Sequence, residues 1–87
     1  MKQTIYTLTA ATSTPIAAAS TTRRFLAIQN IGATNPASLG FEGSATADAG
    51  WLLAAGGTPL TMQDNNTHAG TVHAISTSGT TIAVLEG

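Results

Sequence analysis

The sequence contains no cysteine, and only three basic and four acidic residues stand among its 87 positions. Without thiols the chain forms no disulfide and offers no thiolate to a metal ion. With two histidines and scattered carboxylates as the remaining metal ligands, we expect neither a structural metal nor a cofactor. A domain this small hides only roughly 60–65% of its unfolded surface. Association with other chains is therefore the expected additional source of stability.

Charged side chains are also scarce, at 8% of the residues against about 25% in ordinary globular proteins. Disorder does not explain this, because 43% of the residues are hydrophobic and the net charge is only −1. A protein that is free in solution usually keeps a more charged exterior. The composition therefore favours a surface that contacts other protein, with a secreted, threonine-rich β-domain as the alternative.

Two classes of partner, nucleic acid and membrane, are disfavoured, and so is secretory export. Nucleic acid requires clustered cations, and the chain has only Lys2, Arg23 and Arg24. No stretch approaches the roughly 20 apolar residues of a membrane span. Residues 1–20 lack the continuous apolar stretch of a secretory signal. We therefore expect cytoplasmic synthesis without Sec export, and neither nucleic acid nor membrane as a partner.

An enzymatic function is not expected. The carboxylates stand in four separate segments, at Glu42, Asp48, Asp64 and Glu86. Nothing pairs them across a cleft, as glycoside hydrolysis requires. His68 and His73 have no cysteine or carboxylate at ligand spacing. The glycines form neither a nucleophile elbow nor a phosphate-binding loop.

Alternating residues predict strands throughout the chain. In residues 4–10, Tyr6 and Leu8 lie on one face and Ile5 and Thr7 on the other. Residues 25–31 are apolar on both faces, which is typical of a central strand. Asn30 and Gly32 should close that strand, because both residue types tolerate turn geometry.

Further short strands are predicted at 16–20, 37–42, 51–55, 59–63, 71–77 and 80–86. In 37–42 we expect Leu39 and Phe41 to face inward and Ser38 and Glu42 to face outward. The last two strands are separated by Ser78-Gly79, which predicts a two-residue hairpin. Six to eight strands about ten residues apart predict one all-β domain, a small antiparallel β-sandwich of jelly-roll type.

Two unusual features remain. Trp51, the only tryptophan, follows a glycine, so it either plugs an open end of the sandwich or anchors an interface. Arg23 and Arg24 are adjacent and must point to opposite sides. We expect one arginine to serve the fold, paired with Glu42 or Glu86, and the other to meet a carboxylate on a neighbouring subunit or on another protein of a larger assembly.

Several blocks of sequence, in this order, resemble a family of small virion proteins from tailed bacteriophages. They are RRFLAIQNIG (23–32), LGFEG (39–43), Ala45-Thr46, Gly50 with Leu52-Leu53, Ala55-Gly56-Gly57, and a C-terminal hairpin ending in VLEG. The resemblance implies a β-sandwich over residues 20–87, preceded by an N-terminal arm or edge strand over residues 1–20. It also implies a decoration (cement) protein on the outside of the phage head.

For such a protein, the resemblance implies the major capsid protein as a partner and a homo-oligomer, a trimer rather than a dimer. The expected interface residues are Arg23, Arg24, Trp51, Tyr6 and Glu42. The expected location is the exterior of the virion capsid, after synthesis in the host cytoplasm. The alternative function is a carbohydrate-binding or adhesive module of a head fibre or tail fibre.

Overall fold

A computed structural model of the chain contains two four-stranded antiparallel sheets packed face to face. It describes residues 2–41, 43–46, 50–63 and 67–87. The strands are β1 (Lys2–Thr7), β2 (Thr14–Ala17), β3 (Phe25–Asn30), β4 (Ala37–Phe41), β5 (Trp51–Leu53), β6 (Leu60–Gln63), β7 (Val72–Ile75) and β8 (Thr81–Glu86). The described ranges hold no helix that could cross a membrane. The predicted all-β sandwich is confirmed.

The strand order identifies the sandwich as a jelly roll. The front sheet has the order β1-β8-β3-β6, and the back sheet has the order β2-β7-β4-β5. The pairs β1·β8, β2·β7, β3·β6 and β4·β5 make one long antiparallel hairpin with its tip between β4 and β5. Because these pairs alternate between the two sheets, the long hairpin is rolled into a double-sheet barrel, as in jelly rolls.

The predicted hairpin between residues 71–77 and 80–86 is wrong. β7 pairs with β2 and β4, whereas β8 pairs with β1 and β3. The turn itself exists, since Gly79 has a φ of 86° and its N–H lies 3.3 Å from the Ser76 carbonyl oxygen. This turn carries the chain from one sheet to the other. A turn signal fixes a local reversal but not the partner strand, and here both strands take inner positions between partners distant in sequence.

The core fills the space between the sheets, with one apolar row from each inner strand. Tyr6, Phe41, Leu60 and Met62 pack on its margin, as the alternation predicts. The first twenty residues supply an edge strand to each sheet, although β2 begins at Thr14, two residues before the predicted segment. The buried core residues are Leu8, Ile16, Ala17, Leu26, Ile28, Ala37, Leu39, Leu53, Val72, Ala74, Ile82 and Val84.

The outer face of the back sheet is covered by residues 43–46. A Cβ atom on Gly40 would lie 2.9 Å from the Cα and N atoms of Ala45, and the Ala45 N–H donates to Ser13 Oγ at 2.9 Å. Ser38 lies on the outward row of β4, as expected, yet it is buried, as is Ile75 opposite it on β7. The expected outward position of Glu42 lies outside the described residues.

Replacing Gly40 by alanine should destabilise the fold by about 1–3 kcal/mol, because the added methyl group meets backbone that cannot rotate away. Gly43→Ala is the matched control, since a Cβ there has no neighbour within 4 Å. Urea denaturation of both variants measures the difference. Equal midpoints for the two variants would show that residues 43–46 do not lie against β4.

Candidate protein-contact surface

Arg23 lies two residues before the start of β3 and uses every N–H group of its guanidinium inside the chain. Nε and Nη2 donate to the carbonyl oxygen of His68 at 3.1 and 2.6 Å. Nη2 also donates to the Gly70 carbonyl oxygen at 3.0 Å, and Nη1 donates to that of Ala18 at 2.9 Å. Nη1 completes the set with Glu86 Oε2 at 3.0 Å, in an ion pair whose arginine side chain is 2% exposed.

These bonds join three segments that are distant in sequence: the end of β2, the loop before β7, and the end of β8. The expected pairing of one arginine with Glu86 is therefore observed. The guanidinium is matched to this position because its rigid fork holds five donors, which a lysine ammonium does not offer. With all its donors engaged in the fold, Arg23 has none left for another subunit.

Arg24 points the other way and is exposed. Only its backbone is fixed, by its N–H to the Gly87 carbonyl oxygen at 2.7 Å and by Thr67 Oγ1, which donates to the Arg24 carbonyl oxygen at 2.9 Å. Its side chain forms no ion pair with any carboxylate that the structure describes. Of the two arginines, Arg24 is the one whose side chain is exposed at the surface.

Asn30 closes the opposite end of β3 and is buried. Its Nδ2 donates to the carbonyl oxygens of Asn35 at 2.8 Å and Leu53 at 3.2 Å. Its Oδ1 accepts from the Gly32 N–H at 3.0 Å and from Thr80 Oγ1 at 2.8 Å. Asn30 thus ties two loops and the end of β5 to β3. The sequence reveals Asn30 only as a turn residue, although its place in the inward row 26, 28, 30 is a signal of burial.

The described Lys, Arg and Glu side chains lie together at one end of the molecule. Lys2 stands opposite Glu86 in the β1·β8 register, and Glu86 pairs with Arg23. Arg24 adjoins the last residue of the chain. This charged end, formed by Lys2, Arg23, Arg24 and Glu86, carries three cations and one carboxylate. The remaining carboxylates are Glu42, Asp48 and Asp64, and they lie outside the described residues. The expected interface role of Glu42 therefore stays a prediction.

The outer face of the front sheet is uncharged across its four strands. Residues adjacent to the inward rows point outward, and this assigns three outward side chains each to β1, β8 and β3 and two to β6. None of them is ionisable. The outward residues are Gln3, Ile5 and Thr7; Thr81, Ala83 and Leu85; Phe25, Ala27 and Gln29; and Thr61 and Gln63.

β5 is a free edge of the back sheet and exposes two large apolar side chains. Trp51 is 53% exposed and Leu52 is 57% exposed. Trp51 therefore does not plug the sandwich. Beside it lies an open depression of about 470 Å³, which is lined by Phe41, Ser44 and Thr46 among other residues. Tyr6, the other aromatic expected at an interface, packs half-buried against the core.

The histidines are held within the fold. His68 Nε2 lies 3.2 Å from the Thr71 carbonyl oxygen, and its ring meets the Phe41 ring edge-on at 5.1 Å and 83°. His73 lies on β7, where its Nδ1 is buried. In the described part of the chain, no three His, Asp or Glu side chains group together to hold a metal ion. What these surfaces offer chemically is apolar contact, hydrogen bonding and a few cations.

The jelly roll by itself assigns no activity, because the same fold serves capsid proteins, lectins and enzymes. The surfaces that bear on function are therefore the exposed β5 edge, the uncharged outer face and the charged end. A comparison of the chain with protein-family models and with curated proteins finds no match.

Proposed function

We propose that this chain is a structural virion protein of the decoration (cement) type, which acts without catalysis or a cofactor. It binds the major capsid protein on the outside of a tailed-phage head, as a homo-oligomer, and stabilises the head. It is made in the host cytoplasm and resides in the virion. The observation that carries this proposal is the exposed pair Trp51 and Leu52 on the free β5 edge.

A free sheet edge with exposed apolar residues suits a protein partner. Among the described strands β5 pairs only with β4. Apart from the Leu53 carbonyl oxygen, which accepts from Asn30 Nδ2, its other edge is therefore available to a strand of another chain. Strand addition at such an edge takes its affinity from main-chain hydrogen bonds and its specificity from side chains. Tryptophan is the residue type most enriched among the energetically dominant residues of interfaces. Trp51 therefore supports a role as the anchor of the shell contact.

Decoration of a shell also explains why a small contact area is enough. Three strand residues and their neighbours cover much less than the roughly 800 Å² per partner of a standard interface. On a lattice, an oligomer attaches at several equivalent points, and linked contacts raise the apparent affinity by roughly 10²–10⁴. Arg24 and Lys2 at the charged end complement carboxylates of the shell, which gives the orientation.

Trp51→Ala should weaken binding to phage heads by roughly 30-fold, the loss that corresponds to an anchor worth about 2 kcal/mol. Binding is measured by co-sedimentation of the purified protein with heads that lack it. Ile31→Ala is the matched control, since Ile31 is exposed and apolar but lies outside β5. Normal binding by a folded Trp51→Ala protein would exclude the β5 edge. Absence of binding by the wild-type protein would refute the decoration role itself.

The alternative function, a carbohydrate-binding or adhesive module of a fibre, is favoured by one feature at the same place. The Trp51 ring is half-exposed beside the depression that includes the hydroxyl groups of Ser44 and Thr46, and sugars stack on such rings. Retention on a glycan column, with few copies per virion, would support the alternative. Stoichiometric copies on the head, without retention on glycans, would support decoration.

A further inference from the structure

The uncharged outer face of the front sheet is a surface to which neither the core nor the β5 contact assigns a role. The back sheet has residues 43–46 over its outer side. On the front sheet, the register leaves Ile5, Ala27, Ala83 and Leu85 facing outward, with Ile5 at 48% exposure. We infer that this face is a two-fold contact between two copies of the chain.

The face carries both halves of a complementary contact. Ile5 projects from β1, and beside it lies a depression of about 280 Å³. The depression is lined by Gln3, Ala27, Gln29, Pro59, Ala83, Val84 and Leu85. Its floor is low because Ala27 and Ala83 carry only methyl groups on adjacent strands. In a two-fold pair the same patch occurs on both sides, so Ile5 of each copy can enter the depression of the other.

Charge distribution favours a second copy as the occupant. An ordinary protein surface would bring lysines and carboxylates against a face that has no charge to pair with them, and burying unpaired charges is costly. A second copy brings only glutamine, threonine, alanine, leucine, isoleucine and phenylalanine side chains. Their amides and hydroxyls can hydrogen-bond across the contact, and the two faces can stack about 10 Å apart, as sheets do in sandwiches.

The size of the face sets the strength of the pair. Four strands about 4.8 Å apart and about six residues long cover roughly 400 Å² of flat area. This is about half of what a stable interface buries on each partner. The pair should therefore be weak in solution and should become stable when other contacts hold the copies close. Stacking of like faces closes with two copies, so the contact produces a dimer, whereas the family resemblance implies a trimer.

This inference rests on the homo-oligomer of the proposed function, but its test uses the free protein, so it can fail without affecting head binding. Sedimentation velocity of the full chain should show a reversible monomer–dimer equilibrium with a dissociation constant on the order of 10–100 μM, weaker than in complexes with standard-size interfaces. Because the face is uncharged, the equilibrium should be unchanged between low salt and about 1 M sodium chloride, where charged contacts are screened.

Ile5→Glu should abolish the dimer by placing an unpaired charge in the contact, and Ala83→Arg should do so by filling the depression. Leu52→Glu is the control, since Leu52 is also a large aliphatic residue and is exposed, at 57%, but lies on β5 of the back sheet. Circular dichroism checks that each variant is folded. The inference is overturned if the wild type is monomeric at about 1 mM, roughly ten times the weakest expected dissociation constant, if salt dissociates the dimer, or if Ile5→Glu dimerises like Leu52→Glu.

Discussion

Arg23→Ala is expected to lower the free energy of unfolding by about 3–5 kcal/mol, the usual cost of breaking a buried ion pair from one side. The substitution leaves Glu86 without its cation and removes hydrogen bonds from the carbonyl oxygens of Ala18, His68 and Gly70. A chain of 87 residues has a total stability of roughly 4–13 kcal/mol. The variant should therefore melt at least about 12 °C below the wild type.

Arg24→Ala provides the control for this substitution, because it removes the same side chain one position later. The Arg24 side chain is exposed, so its loss should change stability by less than about 0.5 kcal/mol. Arg23→Lys should fall between the two alanine variants, since it keeps the charge for Glu86 but loses donors that serve the carbonyl groups. Thermal melts followed by circular dichroism compare the three proteins. Similar melting temperatures for the two alanine variants would show that Arg23 does not hold the fold together.

Asn30→Ala is expected to cost about 3–4 kcal/mol, because it leaves one buried and three partly buried residues each with a polar group that has lost its partner, at about 1 kcal/mol or more each. The carbonyl oxygens of Asn35 and Leu53 lose a donor, and the Gly32 N–H and the Thr80 hydroxyl lose an acceptor. Urea denaturation measures the loss. A cost below about 1 kcal/mol, the net value of one ordinary hydrogen bond, would contradict the network.

Asn30→Asp separates hydrogen bonding from shape. Aspartate has the same outline but turns the donating amide into an oxygen that faces the carbonyl oxygens of Asn35 and Leu53, so it should destabilise at least as much as alanine. Asn35→Ala is the control, because Asn35 contributes a single side-chain hydrogen bond, to the Gly79 carbonyl oxygen at 2.8 Å. Its cost should be about 1 kcal/mol. A fully stable Asn30→Asp protein would show that the amide is not required.

The contacts of Arg23 and Asn30 explain why an arginine and an asparagine flank the apolar strand in the segment RRFLAIQNIG. Leu26 and Ile28 anchor β3 in the core, while Arg23 at one end and Asn30 at the other tie the surrounding loops to it. Period-two alternation predicts the apolar part, because inward and outward positions follow directly from strand geometry. The polar ties at the two ends depend on carbonyl groups that only the folded chain brings together.

The same distinction separates what else the sequence predicts from what it does not. Alternation places Tyr6, Leu39 and Met62 correctly, since burial of one face is a local property. It does not reveal that the outward residue Ser38 is buried, or that Ala45 bonds to Ser13, because that bond joins distant segments. The partner of β8 is hidden for the same reason: the Ser78-Gly79 turn is compatible with a hairpin and with a change of sheet.

For the candidate surfaces, the sequence indicates the kind of contact but not its location. Scarce charge predicts a protein-binding exterior, and a lone tryptophan predicts either a plug of the sandwich or an interface anchor. Only the sheet order shows that Trp51 lies on an edge strand and that the described Lys, Arg and Glu side chains lie at one end of the molecule. The uncharged outer face follows from the register of four strands, two of which, β1 and β8, are at opposite ends of the chain.

The most direct test of the central claim, that this jelly roll is built to bind a capsid, is cryo-electron microscopy of phage heads incubated with the purified chain. We predict ordered density on the outside of the shell at regular lattice positions, with the β5 edge turned toward the capsid protein. Heads that remain bare at saturating concentrations of folded protein would contradict the claim.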